Sequence, residues 1–350
     1  MSKLSSFFLG LGGNYKLRTM LLLLIVAVFL SSCMENLFND PAERLGNAIR
    51  LTKGSFDENQ IRFHPNEDKL LFLRLSAKDG KSVEETNQPL VRRIMEIDFS
   101  NPDYSKVTEI KALSGGSYPS YSGSKRIFAL DQTGGTVFLE EGEDKPSPID
   151  FTGLNTRPTK PIASPDGKYV AFLSIPAPKI NKDTDVTDEE NFRYQAFVAS
   201  VETGEVKQLS RPIGLHASVV SLSWADDGLL VTYQIFERTG LYTRVEKLVW
   251  PDGKRTLALF ADVPPNLSLD DDYRFFVTHM KKAQHVSLIS RGMDIVKEID
   301  FKAPIKSAIV QHDGKYVVVS RYCEDTKGYN LYLLPVDGEF LKAVSGEGGD

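Results

Sequence analysis

The chain has 350 residues, 41% hydrophobic and 25% charged, with a formal net charge of −5. That composition excludes a disordered chain and a multi-span membrane protein. The acidic balance excludes the basic stripe that a nucleic-acid partner needs, and docking on anionic lipid by charge alone.

Residues 1–32 carry Lys3, Lys16 and Arg18 and no acid, so the remainder is more acidic still. Lys16 and Arg18 precede an uninterrupted apolar run of 11 residues, Met20 to Leu30, and then Ser31, Ser32 and Cys33. Crossing a hydrocarbon layer takes about 20 residues as a helix, so this run is too short to span. It fits the apolar core of a cleavable export signal. Leu30-Ser31-Ser32-Cys33 resembles the lipobox of bacterial lipoproteins. That resemblance implies cleavage before Cys33 and a diacylglycerol on its thiol, with further acyl chains such as palmitate. A plain secretory signal is the alternative. Each buried CH₂ contributes about 0.8 kcal/mol, so two or three chains would hold the protein in a membrane. The expected organisation is a signal over 1–32, a lipidated tether over 33–46 and a folded domain over 47–350. The resemblance places the protein in the bacterial cell envelope, on the periplasmic side or the cell surface. With Cys33 acylated, Cys323 has no disulfide partner, and the acids Glu324 and Asp325 beside it disfavour a reactive thiolate.

A tight polar turn leading into an apolar strand recurs along the rest of the chain. Its clearest copies are Ser164-Pro165-Asp166-Gly167-Lys168 before Tyr169-Val170-Ala171-Phe172, and Gln311-His312-Asp313-Gly314-Lys315 before Tyr316-Val317-Val318-Val319. Weaker copies begin at His64, Tyr121, Trp224 and Ser268. The residues just before the strands are Lys69, Lys125, Lys168, Leu229, Asp272 and Lys315, spaced by 56, 43, 61, 43 and 43. A period in the forties filled with short strands marks a propeller or a related array. Within one repeat the order is inner strand, turn, second strand, third strand, turn, fourth strand. In the third copy these are Lys160 to Ala163, Tyr169 to Ile175, Tyr194 to Val201 and Glu205 to Leu209. Four antiparallel strands make a blade. The expectation is an all-β, six-bladed β-propeller of four-stranded antiparallel blades. Ala48 to Gly54 is the favoured strand to complete the last blade and close the ring, with Glu339 to Val344 the alternative occupant.

Ser164-Pro165-Asp166-Gly167-Lys168 followed by apolar residues is similar to the TolB-type propeller repeat, as are Leu51-Thr52 and Gln208-Leu209-Ser210 where a blade ends. The resemblance covers roughly residues 45–350. It implies a six-bladed propeller in the bacterial envelope that acts through protein contacts. The family's namesake also carries an α/β domain ahead of its propeller, for which this sequence has no counterpart between Cys33 and the first repeat.

Linear catalytic signatures are absent: no His-Glu-x-x-His, Cys-x-x-Cys, Walker loop or Gly-x-Ser-x-Gly elbow occurs. The five histidines are His64, His216, His279, His285 and His312. His64 and His312 fall in equivalent turns and are expected on one face, apart at the rim, so no metal site is assigned. The acidic loop around Asp183, Asp185 and Asp188 offers oxygens to Ca²⁺, though without the spacing of an EF-hand. Loops joining second and third strands lie on one face of the ring, and long insertions there mark a binding face. Asp183, Asp185, Asp188, Glu237 and Asp325 are the candidate binding-face residues. No catalytic residue, metal or cofactor is assigned. The functional expectation is a lipid-anchored, non-catalytic scaffold for another envelope protein. The alternative is a cell-surface propeller that binds or cleaves a glycan.

Overall fold

A computed structural model describes residues 48–336 except 80, 84, 101–106, 124–125, 152–156, 176–192, 211–216, 226–227, 238–239, 251–253, 262–266, 270–274, 280–283 and 291–294. Among the described residues the fold is nearly all strand. β1 is Ile49–Arg50. β2 (Asp57–Phe63), β3 (Lys69–Ser76), β4 (Val91–Asp98) and β5 (Val107–Glu109) form one antiparallel meander, followed by a 3-10 turn at Lys111–Leu113. β6 (Ser117–Ser122), β7 (Arg126–Leu130), β8 (Thr136–Glu140) and β9 (Ser147–Pro148) form a four-stranded sheet in chain order. So do β10 (Thr159–Ala163), β11 (Tyr169–Ser174), β12 (Gln195–Ser200) and β13 (Val206–Gln208). The pattern repeats with β14 (Ala217–Ala225), β15 (Gly228–Glu237), β16 (Gly240–Val249) and β17 (Lys254–Ala261). It repeats again with β18 (Leu267–Leu269), β19 (Phe275–His279), β20 (His285–Ser290) and β21 (Ile295–Asp300). β22 (Ile305–Val310), β23 (Tyr316–Cys323) and β24 (Gly328–Pro335) complete the order.

The last three strands merge with the first meander into one eight-stranded sheet. β2 meets β24 in parallel through Asp57 and Tyr329, and β1 pairs antiparallel with β24 at Leu333 and Tyr332. The favoured N-terminal strand therefore lies on the C-terminal hairpin. Residues 339–344, the alternative occupant, lie outside the described residues.

The first strands of successive units are neighbours in space. β2 lies beside β6 and β22, β6 beside β10, β10 beside β14, and β18 beside β22. Side chains alternate across a strand, so each second strand feeds two different cores. Leu71 packs towards β6 and β7 with Ile94, Tyr121 and Ala129. Its neighbours Leu70 and Phe72 pack the other way, with Val318 and Leu331. Phe128 and Phe172 share a third cluster, while Ala171 and Leu173 face β14 and β15. The apolar cores therefore sit between adjacent sheets and leave the common axis to the inner strands.

The recurring turn is explained by its hydrogen bonds. Ser164 Oγ donates to Asp166 Oδ1 at 2.6 Å and accepts from Tyr169 N at 3.0 Å, while Lys168 N donates to Asp166 Oδ1 at 3.1 Å. Gly167 has φ +73°, where a side chain is strained, and a Cβ there would meet Ser122 Oγ at 2.7 Å. The Gln311–Lys315 turn repeats the plan, with Gly314 at φ +76° and Lys315 N on Asp313 Oδ1 at 3.0 Å. The motif is turn chemistry, and its aspartates are spent on backbone amides.

Candidate functional site

Four of the inner strands break register with their partners at equivalent places. The shifts fall between Asn59 and Arg62 in β2, Ser117 and Ser120 in β6, Thr159 and Ile162 in β10, and Ile305 and Ser307 in β22. β14 shifts between Val219 and Ser221. A bulge re-aims the residues around it. In three of them the extra residue is left-handed without being glycine: Gln60 (φ 54°), Tyr118 (φ 53°) and Lys160 (φ 50°). Such residues cost about 1–3 kcal/mol each and persist where the surroundings over-determine them. Two reach the next inner strand at its own bulge. Tyr118 N donates to Gln60 Oε1 at 2.6 Å, and Lys160 Nζ donates to the Val220 carbonyl at 3.0 Å.

Beyond the bulges, the C-terminal ends of β2, β6, β10, β14, β18 and β22 surround a cavity of about 520 Å³. Ligand sites span about 300–1,000 Å³. Ser120, Ser221, Ser223, Thr232 and Ser268 supply hydroxyls to its wall. Trp224 and Tyr121 supply aromatic surface, and His312, Pro65 and Pro165 come from the turns at the mouth. Trp224 is half-buried and its Nε1 donates to the Ile162 carbonyl at 3.2 Å, which holds the indole plane in place.

Two histidines lie in the turns here: His312 lines the mouth, and His64 is buried behind it. His64 Nδ1 accepts Asn66 N–H at 3.1 Å, which leaves the proton on Nε2, and its ring meets Tyr121 edge-on at 4.6 Å. Burial pushes its pKa below the ordinary value; Glu67 opposes that, and Lys69 and His312 reinforce it. His312 is thus close enough for its charge to be felt at His64. The two turns are expected apart; the pairing of β2 with β24 instead makes them neighbours. Tyr121 donates its hydroxyl to Glu96 Oε2 at 2.9 Å, and burial and that carboxylate hold the phenol protonated. His64 Nε2, His312 Nδ1 and Gln311 Oε1 are buried with no hydrogen-bond partner among the described residues.

Arg62 lines the floor of the cavity. One of its nitrogens donates to the Ile61 carbonyl at 2.8 Å. Burial lowers its pKa, with Tyr118 acting weakly the other way. The Lys160 pKa is also lowered, first by the surrounding protein and then by the charge of Arg62.

Of the residues singled out from sequence, Cys33, Asp183, Asp185, Asp188 and His216 lie outside the described residues, as does the Ca²⁺ loop they include. Glu237 is exposed at the end of β15, opposite Gly240 in the hairpin. Asp325 accepts a two-pronged bond from Arg50, at 2.9 and 3.1 Å, and so ties the β23–β24 turn to β1. His279 falls within β19, and His285 Nδ1 lies 3.2 Å from Glu298. Cys323 is buried with its sulfur 3.1 Å from the Tyr332 hydroxyl. Glu237 and Asp325 lie at second-to-third-strand turns, at the opposite end of the strands from the cavity. Sequence reasoning missed Arg62, Lys160, Trp224 and Tyr121. An alignment of the inner strands would have shown Arg62 and Lys160 as charges among apolar and hydroxyl residues.

No family model matches the chain, and no curated protein does. Among solved structures, oligogalacturonate lyase from Vibrio parahaemolyticus is similar over 84% of this chain and 94% of its own, at 10% identity and TM-score 0.53. An oligogalacturonate lyase in complex with manganese has the same coverage, at 11% identity and TM-score 0.53. TolB from Acinetobacter baumannii aligns over 70% of this chain and 60% of its own at 16% identity, but its TM-score of 0.44 carries no argument. The described residues do not fit a metal centre of this kind: they hold no group of three or more His, Cys, Asp or Glu that could bind an ion. The likeness corrects two expectations, that the chain is a non-catalytic scaffold and that it is not an enzyme. Both rest on missing linear motifs and on a repeat taken to mean protein contacts. The solved structures it resembles include a lyase, so neither inference from the repeat stands. What the likeness itself carries is the fold: the chain is a β-propeller.

Proposed function

We propose that this propeller is a carbohydrate-active protein that takes an oligosaccharide into the mouth of its central channel. One observation carries the reading: a cavity of about 520 Å³ on the axis combines an anchored Trp224, a row of serine and threonine hydroxyls and His312. Flat aromatic surface suits the C–H face of a sugar ring, and hydroxyls suit its rim. His312 is the group suited to moving a proton, because its imidazole offers both a donor and an acceptor nitrogen at the cavity wall. The oligogalacturonate lyases of the same fold make a uronate chain the first ligand to try.

Two further parts belong to this reading. The ring has six blades, with β1 completing the last; the six inner strands around one cavity support it, as does an eight-stranded sheet that divides into two meanders. The anchor is an acylated Cys33 in a bacterial envelope membrane, supported by the apolar run and the small residues before that cysteine. The mass of the mature N-terminus tests it.

The functional test is calorimetry of the full chain against a panel of acidic and neutral oligosaccharides, followed by product analysis. Saturation by at least one saccharide, with His312→Ala retaining binding and losing any cleavage, is expected. An unsaturated product would assign elimination and a saturated one hydrolysis. A panel in which no saccharide binds overturns the reading.

A further inference from the structure

The described inner strands carry five charged residues: Asp57, Glu58, Arg62, Lys160 and Lys306. Three are matched within the protein. Asp57 is paired with Lys306 and accepts from Asn59 Nδ2 at 3.1 Å. Glu58 is fully buried against Arg74, 2.6 Å from its guanidinium. Arg62 and Lys160 are different. No carboxylate lies within 4 Å of either among the described residues, and each has a backbone carbonyl as its polar partner. Arg62 lines the cavity, and Lys160 sits at the β10 bulge two residues before Ile162, which lines it too. Two like charges close together on the inner strands repel. A channel wall of one sign focuses its field on ligands of the other. The backbone is strained at the same place, since Lys160 itself is left-handed and Gln60 is two residues before Arg62.

We propose that Arg62 and Lys160 form an anion subsite on the channel axis, below the saccharide cavity, which takes the carboxylate of a uronate residue. This rests on the carbohydrate reading and narrows it from sugars in general to acidic sugars. Arg62 has the planar fork that matches a carboxylate, and four of its five N–H donors are unspent by any bond to the described protein. Lys160 adds a point charge from β10, the next inner strand but one around the ring. Trp224 and the hydroxyls above would hold the ring that carries the carboxylate.

The test is calorimetry of the full chain with three probes: a galacturonate trimer, its methyl ester and inorganic phosphate. The wild type is expected to bind the acid at least about tenfold more tightly than the ester, the usual scale for hydrogen bonds to a charged group. In Arg62→Gln and in Lys160→Asn that preference should shrink to about twofold or less, with ester affinity unchanged. Asparagine tolerates the left-handed backbone, so Lys160→Asn remains informative if Arg62→Gln does not fold. Equal binding of acid and ester by the wild type overturns the subsite and leaves the carbohydrate reading standing. Phosphate binding as tight as that of the acid, lost in both variants, also overturns the uronate assignment. Binding of neither saccharide removes the subsite, and binding of no sugar at all removes both readings.

Discussion

The chain deals with charge in two opposite ways on either side of the same inner strand. At the start of β2, where the chain's two ends meet, the described charges are matched. Arg50 grips Asp325 and donates to Asn330 at 2.7 Å; Asn330 in turn holds the Gly54 carbonyl at 2.9 Å. Thr52 Oγ1 donates to buried Glu58 and accepts from Leu331 N at 2.9 Å. Arg74 closes the set, over the Phe56 ring at 4.2 Å. A few residues later Arg62 lines the cavity with no carboxylate within 4 Å among the described residues. The first region uses its charges to join strands; the second is where the proposed anion subsite lies. The comparison teaches that a buried charge is informative chiefly through its partner.

Substitutions can break this contrast, and the largest effect belongs to the joined region. Arg74→Ala leaves Glu58 buried and unpaired and should cost about 3–5 kcal/mol in denaturant unfolding. Glu58 responds in kind to pH: burial raises its pKa, against the pull of Arg74 and Thr52. A raised carboxylate stabilises the fold below its ordinary value of 4.5 and loses that contribution as pH rises through its folded value. Phe172→Ala, in the core between two sheets and 0% exposed, gives a matching scale of about 3–5 kcal/mol. Arg50→Ala removes the two-pronged bond at a half-exposed site and should cost about 1–2 kcal/mol.

His64 sharpens the contrast with a smaller, signed effect. Its folded pKa lies below 6.5, so its contribution is present above that pH and lost on acidification through the folded value. The melting temperature of the wild type should fall between pH 7.5 and 5.5 by more than that of His64→Gln. Smallest of all is Arg62→Gln. Removing a cation with no carboxylate partner among the described residues should change stability by roughly ±0.5 kcal/mol while shrinking the preference for an acidic ligand to about twofold or less. A loss of several kcal/mol there would make Arg62 a structural residue and erase the contrast.

The strands and turns were legible because their causes are local. Ser164, Asp166 and Gly167 carry their turn within five residues, and the alternation around Phe172 shows which faces are apolar. The site was not legible, because it depends on register and closure. Nothing near Lys160 announces a bulge, since left-handed backbone usually calls for glycine and here has lysine. His64 and His312 become neighbours only when the two ends of the chain join. Asp325 reads in the sequence as a binding-face acid, because its partner Arg50 is 275 residues away along the chain.

The most direct measurement is a structure of the full chain with a galacturonate trimer bound. One carboxylate should lie within hydrogen-bond distance of the Arg62 guanidinium and near Lys160, with a sugar ring against Trp224. A trimer seated instead on the loops at the other end of the strands, near Glu237 or Asp325, would contradict the account.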